Sequence, residues 1–151
     1  MERPSARHAH PTARPGPRHR SRPPPLGDLI RTLESRGLLR TLLPGGSRPP
    51  SELEIADVTM DSRQVRAGAL FVAIDGLHLD GHEFVPAAAR SGAVAIVAER
   101  ATPGLRIPQI LVPSSRPALA LAAGWFNGYP SRRLGVVGVT GTDGKTTTAF
   151  L

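Results

Sequence analysis

The 151 residues suffice for one domain of ordinary size plus fragments, not for two complete domains, and the absence of cysteine excludes disulfides, thiolate metal sites and thiol nucleophiles. The net charge of +7 invites a nucleic-acid reading, yet +5 of it sits in residues 1–25 and the rest of the chain carries only +2. No apolar run approaches the roughly 18 residues of a membrane span, and the basic N-terminus lacks a signal peptide's apolar stretch, so a cytoplasmic chain without membrane insertion is expected.

Residues 1–25 hold six arginines (Arg3, Arg7, Arg14, Arg18, Arg20, Arg22), seven prolines and almost no large apolar side chain. Such a segment cannot bury enough surface to offset its ordering entropy, which predicts a disordered tail. Interleaved aromatics for stacking on bases are missing, so no nucleic-acid partner is expected. Folded sequence is expected from Leu26, where Leu26, Leu29, Ile30 and Leu33 recur at helical spacing and Gly37 offers a stop. Residues 44–51, rich in Pro, Gly and Ser, read as a loop. Ile55, Val58 and Met60 then mark a strand over 55–60, followed by the turn Asp61-Ser62-Arg63, which puts carboxylate, hydroxyl and guanidinium at a strand end.

The apolar run 69–74 predicts a strand buried on both faces, and the polar stretch 75–82 a loop. Phe84, Ala87, Ala88 and Ser91 fit a helix closed by Gly92; residues 93–98 and 110–112 supply two more strands. Residues 116–126 read as a helix broken by Asn127-Gly128-Tyr129-Pro130. Strands alternating with helices, without internal repeats, predict an α/β domain over 26–130 with a mostly parallel sheet.

After the break, residues 134–140 form an apolar strand pattern that runs into Gly141-Thr142-Asp143-Gly144-Lys145-Thr146-Thr147-Thr148. A polyphosphate needs backbone N–H groups turned towards it, and glycines let the chain curl that closely. The start of a following helix adds partial positive charge. Gly141, Thr142, Asp143, Gly144, Lys145, Thr146 and Thr147 are therefore candidate ATP-binding residues, with Lys145 reaching the β- and γ-phosphates and the Thr146 hydroxyl ligating Mg2+. Lys145 is also the only lysine, every other Lys or Arg being arginine, as if a compact ammonium were required here and nowhere else. The spacing departs from the commonest phosphate-loop pattern, which would want glycine where Val139 stands. The bland alternative is a glycine turn between strand and helix.

The run 138–148 resembles the ATP loop of the Mur ligases, which build peptidoglycan precursors; Asp143 stands where that loop usually has asparagine. Upstream, Asp61-Ser62-Arg63, Val65, Gly68, Leu70-Phe71-Val72-Ala73, Gly76, Asp80-Gly81-His82, Phe84, Ala89 and Gly92-Ala93 are similar to the family's N-terminal domain. The resemblance implies that residues 26–130 bind a UDP-muramoyl substrate, and that 131–151 begin a P-loop ATPase-like central domain. It further implies ATP and Mg2+ as cofactors, with Lys145 catalytic in phosphoryl transfer to a D-glutamyl carboxylate. The acyl phosphate so formed is then attacked by the amino group of a diamino acid, meso-diaminopimelate or L-lysine. The loop is more like that of the branch acting on UDP-N-acetylmuramoyl-L-alanyl-D-glutamate than that of the branch adding D-alanyl-D-alanine.

By position, the resemblance assigns Met60, Ser62, Leu77, His78 and Leu79 to substrate contact. Ser62 equally fits a turn cap, Arg63 a partner of Asp61, and His78 and His82 ordinary loop histidines. The remaining magnesium ligands, a modified lysine and an amino-acid-selecting domain are expected beyond Leu151, so these residues alone should not turn over. A monomer is expected. A UDP-sugar-binding module without catalysis, and a nucleic-acid binder using the arginine tail, are the competing readings.

Overall fold

The computed structural model describes residues 23–76 and 79–130. Helix α1 (Leu26–Ser35) buries Leu26, Leu29 and Leu33, the stripe expected from their spacing. It ends as Gly37 N–H donates to Glu34 O at 2.9 Å and Leu38 N–H to Leu33 O at 2.8 Å, the paired closure that a glycine with φ of 66° permits. Pro24 and Pro25, assigned to the tail by composition, already belong to the fold. Pro24 is buried, Ile55 N–H donates to its carbonyl at 3.1 Å, and Pro25 bridges to Glu54. The prolines can do this because the pairing uses the Pro24 carbonyl and the Leu26 N–H, which donates to Leu53 O at 2.7 Å, and needs no proline N–H.

Five strands follow: β1 (Thr41–Leu43), β2 (Asp57–Thr59), β3 (Ala69–Val72), β4 (Ala93–Ala98) and β5 (Gln109–Leu111). They form one sheet in the order β1-β5-β4-β3-β2. All pairings are parallel except β1 with β5, so the domain is α/β with a mostly parallel sheet. Helices α2 (Val85–Arg90) and α3 (Ser115–Phe126) complete the set. Leu70, Val72, Ala95, Val97 and Ile110 pack with α1 and α3 on one face; Ala69, Phe71, Ala73, Ile96 and Ala98 pack with Val85 and Ala88 of α2 on the other. Helices on both faces bury all of β3 and all of β4 but Val94, which is why β3 and β4 are continuous apolar runs. Ala69 pairs with Ala93 but Leu70 with Ala95, so Val94 is an extra residue. That bulge turns Ala93 and Ile96 to the same face, against Phe71.

The regular part of β2 covers only Asp57–Thr59 of the expected 55–60, Ile55 being buried just ahead of it and Met60 leaving the sheet. The antiparallel edge strand β1 was not foreseen: its three residues are too short for a periodic signal.

Candidate functional site

Because β2 to β5 run parallel, their carboxyl ends lie together, and in open α/β sheets ligands bind outside those ends. Four segments emerge there: 60–64 from β2, 75–76 and 79–80 from β3, Glu99 and Arg100 from β4, and Ser114 leading into α3 from β5.

At the end of β2 the chain turns through a short 3-10 segment, Ser62–Gln64, whose cap is Asp61. The Asp61 carboxylate accepts from Arg63 N–H at 3.0 Å, Arg63 Nε at 2.9 Å and Arg63 Nη2 at 2.8 Å. These charge-assisted bonds, the guanidinium contact first, hold its pKa down from the ordinary 3.8 to about 2. Thr59 Oγ1 accepts Asp61 N–H at 3.1 Å and fixes the turn from inside the sheet. Arg63 is thus the partner of Asp61, one of the alternatives the sequence left open. Ser62 is not the cap; its hydroxyl has no hydrogen-bond partner among the described residues.

At the end of β3, Asp75 and Asp80 face each other in an isolated antiparallel bridge, and a second 3-10 segment, Gly81–Phe84, is capped by Asp80. Its carboxylate accepts from His82 N–H at 2.9 Å and His82 Nδ1 at 2.6 Å and pairs with Arg100. His82 N–H leads the causes that lower the Asp80 pKa to about 2. His82 is buried, and its Nε2 accepts Glu99 N–H at 3.1 Å. The resemblance included Asp80 and His82 without giving either a role, and Glu99 was not singled out; the Asp-x-basic pattern recurring after two strands, at 61–63 and 80–82, was the signal available for the first two.

Of the sequence's substrate candidates, Met60, Ser62 and Leu79 are described and sit at this one end of the sheet. Leu77 and His78 lie outside the described residues, as do Gly141, Thr142, Asp143, Gly144, Lys145, Thr146 and Thr147, the candidates for ATP and magnesium. Met60 is 60% and Leu79 67% exposed, the large apolar side chains left open to solvent among the described residues. Elsewhere the fold covers such side chains.

The family described as "Mur ligase family, catalytic domain" matches residues 54–125, a span that ends before the glycine-lysine loop. The match therefore comes from the folded module itself. The chain belongs to the Mur ligase family. Among its relatives is the UDP-N-acetylmuramyl-tripeptide synthetase of Roseiflexus sp. (strain RS-1), 50% identical over 116 residues, covering 76% of this chain and 23% of that protein. Another is the UDP-N-acetylmuramoyl-L-alanyl-D-glutamate--2,6-diaminopimelate ligase of Geobacillus thermodenitrificans (strain NG80-2), 48% identical over 98 residues, covering 65% and 20%. The chain thus spans about a fifth to a quarter of the length of these Mur ligases. Among solved structures, the UDP-N-acetylmuramoylalanyl-D-glutamyl-2,6-diaminopimelate--D-alanyl-D-alanyl ligase from Acinetobacter baumannii aligns with a TM-score of 0.59 at 27% identity, covering 84% of this chain and 26% of that one.

Proposed function

We propose that this chain is the substrate-binding part of a cytoplasmic Mur ligase that adds a diamino acid to UDP-N-acetylmuramoyl-L-alanyl-D-glutamate at the expense of ATP. The observation that carries this reading is that Met60, Ser62 and Leu79 follow strands at the same, carboxyl end of the sheet, two of them exposed apolar side chains and the third a hydroxyl without a hydrogen-bond partner among the described residues. An amphipathic ligand such as a nucleoside diphosphate sugar needs both: apolar surface for ring and sugar faces, and a donor-acceptor hydroxyl for uracil or diphosphate oxygens. Leu77 and His78 join them on sequence grounds.

In the same reading, the 141–147 loop cradles ATP. The Lys145 ammonium would lie against its outer phosphates and the Thr146 hydroxyl would be a ligand to magnesium. Bound there, nucleotide and metal supply the activated phosphoryl group for the D-glutamyl carboxylate. The names of the relatives support addition of the third residue, whereas the solved structure named above belongs to a D-alanyl-D-alanyl ligase.

Calorimetry separates the two branches. Binding of UDP-N-acetylmuramoyl-L-alanyl-D-glutamate in preference to the same nucleotide already carrying 2,6-diaminopimelate supports the reading; the reverse preference favours the D-alanyl-D-alanine branch. Ser62→Ala should weaken binding about fivefold to tenfold, the loss of one hydrogen bond worth ~1 kcal/mol. Binding of neither nucleotide by the folded chain would sink the assignment.

A further inference from the structure

The chain leaves β3 through Asp75 and Gly76 and returns through Leu79 and Asp80, and a surface segment that meets a ligand in one geometry has to be held at its base. Main-chain bonds begin the job: Gly76 N–H donates to Leu79 O at 3.1 Å and Gly81 N–H to Ile74 O at 2.8 Å. A side-chain relay continues it. The Asp80 carboxylate holds His82 Nδ1 at 2.6 Å, His82 Nε2 accepts Glu99 N–H at 3.1 Å, and Glu99 Oε1 accepts Ser115 N–H at 2.7 Å in the first turn of α3. A ring nitrogen that accepts carries no proton, so these contacts select the neutral tautomer with hydrogen on Nδ1. Arg100 pairs with the other oxygen of Asp80, and Arg116 Nη2 reaches Asp75 O at 3.3 Å.

His82 is 6% exposed. An apolar side chain would fill that space without burying two polar ring atoms, so packing alone gives no reason for histidine there. What the imidazole adds is a donor at one end and an acceptor at the other, tying the base of one segment to the exit of β4. We propose that Asp80, His82 and Glu99 are positioning residues for substrate binding: the relay locks Asp80 to the end of β4 and the first turn of α3, so that the adjoining Leu79 is held at the substrate end of the sheet. The inference rests on the reading above that this end takes the UDP-muramoyl nucleotide.

The test uses the whole 151-residue chain and two readouts: amide hydrogen exchange at Gly76 and Gly81 without ligand, and the Kd for UDP-N-acetylmuramoyl-L-alanyl-D-glutamate by calorimetry. His82→Phe fills the space but breaks both bonds. It should speed exchange at those two amides about tenfold relative to β3 and β4 and weaken binding by about the same factor, the equivalent of one buried hydrogen bond. His82→Asn, which can still donate to Asp80, should recover part of both effects. A lower Tm with unchanged Kd and no selective change at Gly76 and Gly81 would mean a merely structural histidine and overturn the proposal. If His82→Phe does not fold, Asp80→Asn at the less buried end of the relay is read in the same way. Should the parent chain bind no UDP-sugar, the functional reading fails, while the exchange at Gly76 and Gly81 still decides whether the relay fixes the segment.

Discussion

Asp61 and Asp80 use the same device at the ends of neighbouring strands. Each accepts the backbone N–H of the residue two positions on, at 3.0 Å and 2.9 Å, and each is bonded back by that residue's side chain, a guanidinium in one case and an imidazole in the other. Both carboxylates are pulled from 3.8 to about 2, mainly by the Arg63 guanidinium for Asp61 and by the His82 N–H for Asp80. A folded pKa below the unfolded one makes the stabilisation fully present above about pH 4 and lost as pH falls through about 2. The melting temperature, followed by the fluorescence of the single Trp125, should therefore be level between about pH 5 and 7 with respect to these groups and drop towards pH 2. Asp61→Asn with Asp80→Asn should flatten that drop; an unchanged acid profile in the double variant would contradict the assignment. Gly92 makes a second prediction. With φ of 107° and a would-be Cβ 2.9 Å from Ala67 Cα, it combines a left-handed backbone with a close approach. Gly92→Ala should lose about 1–3 kcal/mol in urea unfolding.

Among the elements, β3 carries the most structural weight. It lies between β2 and β4, its four residues are all buried, and Phe71 on its α2 face is the largest of the fully buried side chains. Phe71→Ala should cost about 3–5 kcal/mol, measured by chemical denaturation, and should loosen α2 before α1 because α2 packs on that face and α1 on the other. The apolar strands β3 and β4 and helices α1 and α3 were legible because each has enough residues for burial to leave a periodic or continuous apolar signature. Strand β1, with one exposed and two half-buried residues, has no such signature; its position comes from pairing with β5. Residues 55–60 look like one strand by pattern, yet Met60 is turned out at the site end, a departure that local apolarity cannot reveal.

For the whole molecule, the described module and the 141–147 loop belong to different parts of the chain, and the proposed roles separate accordingly. Lys145→Ala, in a chain extended to the full length of its relatives, should abolish nucleotide binding by calorimetry and turnover while leaving the affinity for the UDP-muramoyl dipeptide within about twofold, the outcome of two sites that bind independently. A parallel loss of both affinities would show that the two sites are coupled. Among the described residues no helix is long and apolar enough to cross a membrane.

The sequence by itself determined the α/β layering and the parallel strands, because apolar periodicity and the spacing of glycines and caps are local properties of the chain, and the run 138–148 with its upstream matches carried the resemblance to the family. It also pointed to Met60, Ser62 and Leu79. It did not distinguish a capping Ser62 from a free one, or a loose His82 from a buried one. The first answer lies in the local turn, where Asp61 and not Ser62 takes the Arg63 N–H; the second depends on which groups the sheet brings within hydrogen-bond reach, since Glu99, 17 residues beyond His82, meets its ring. Only the tertiary structure could decide the burial and partners of His82, since a hydrogen-bond relay across the carboxyl ends of three strands is fixed by strand order and register, and neither is written in the residues that make it.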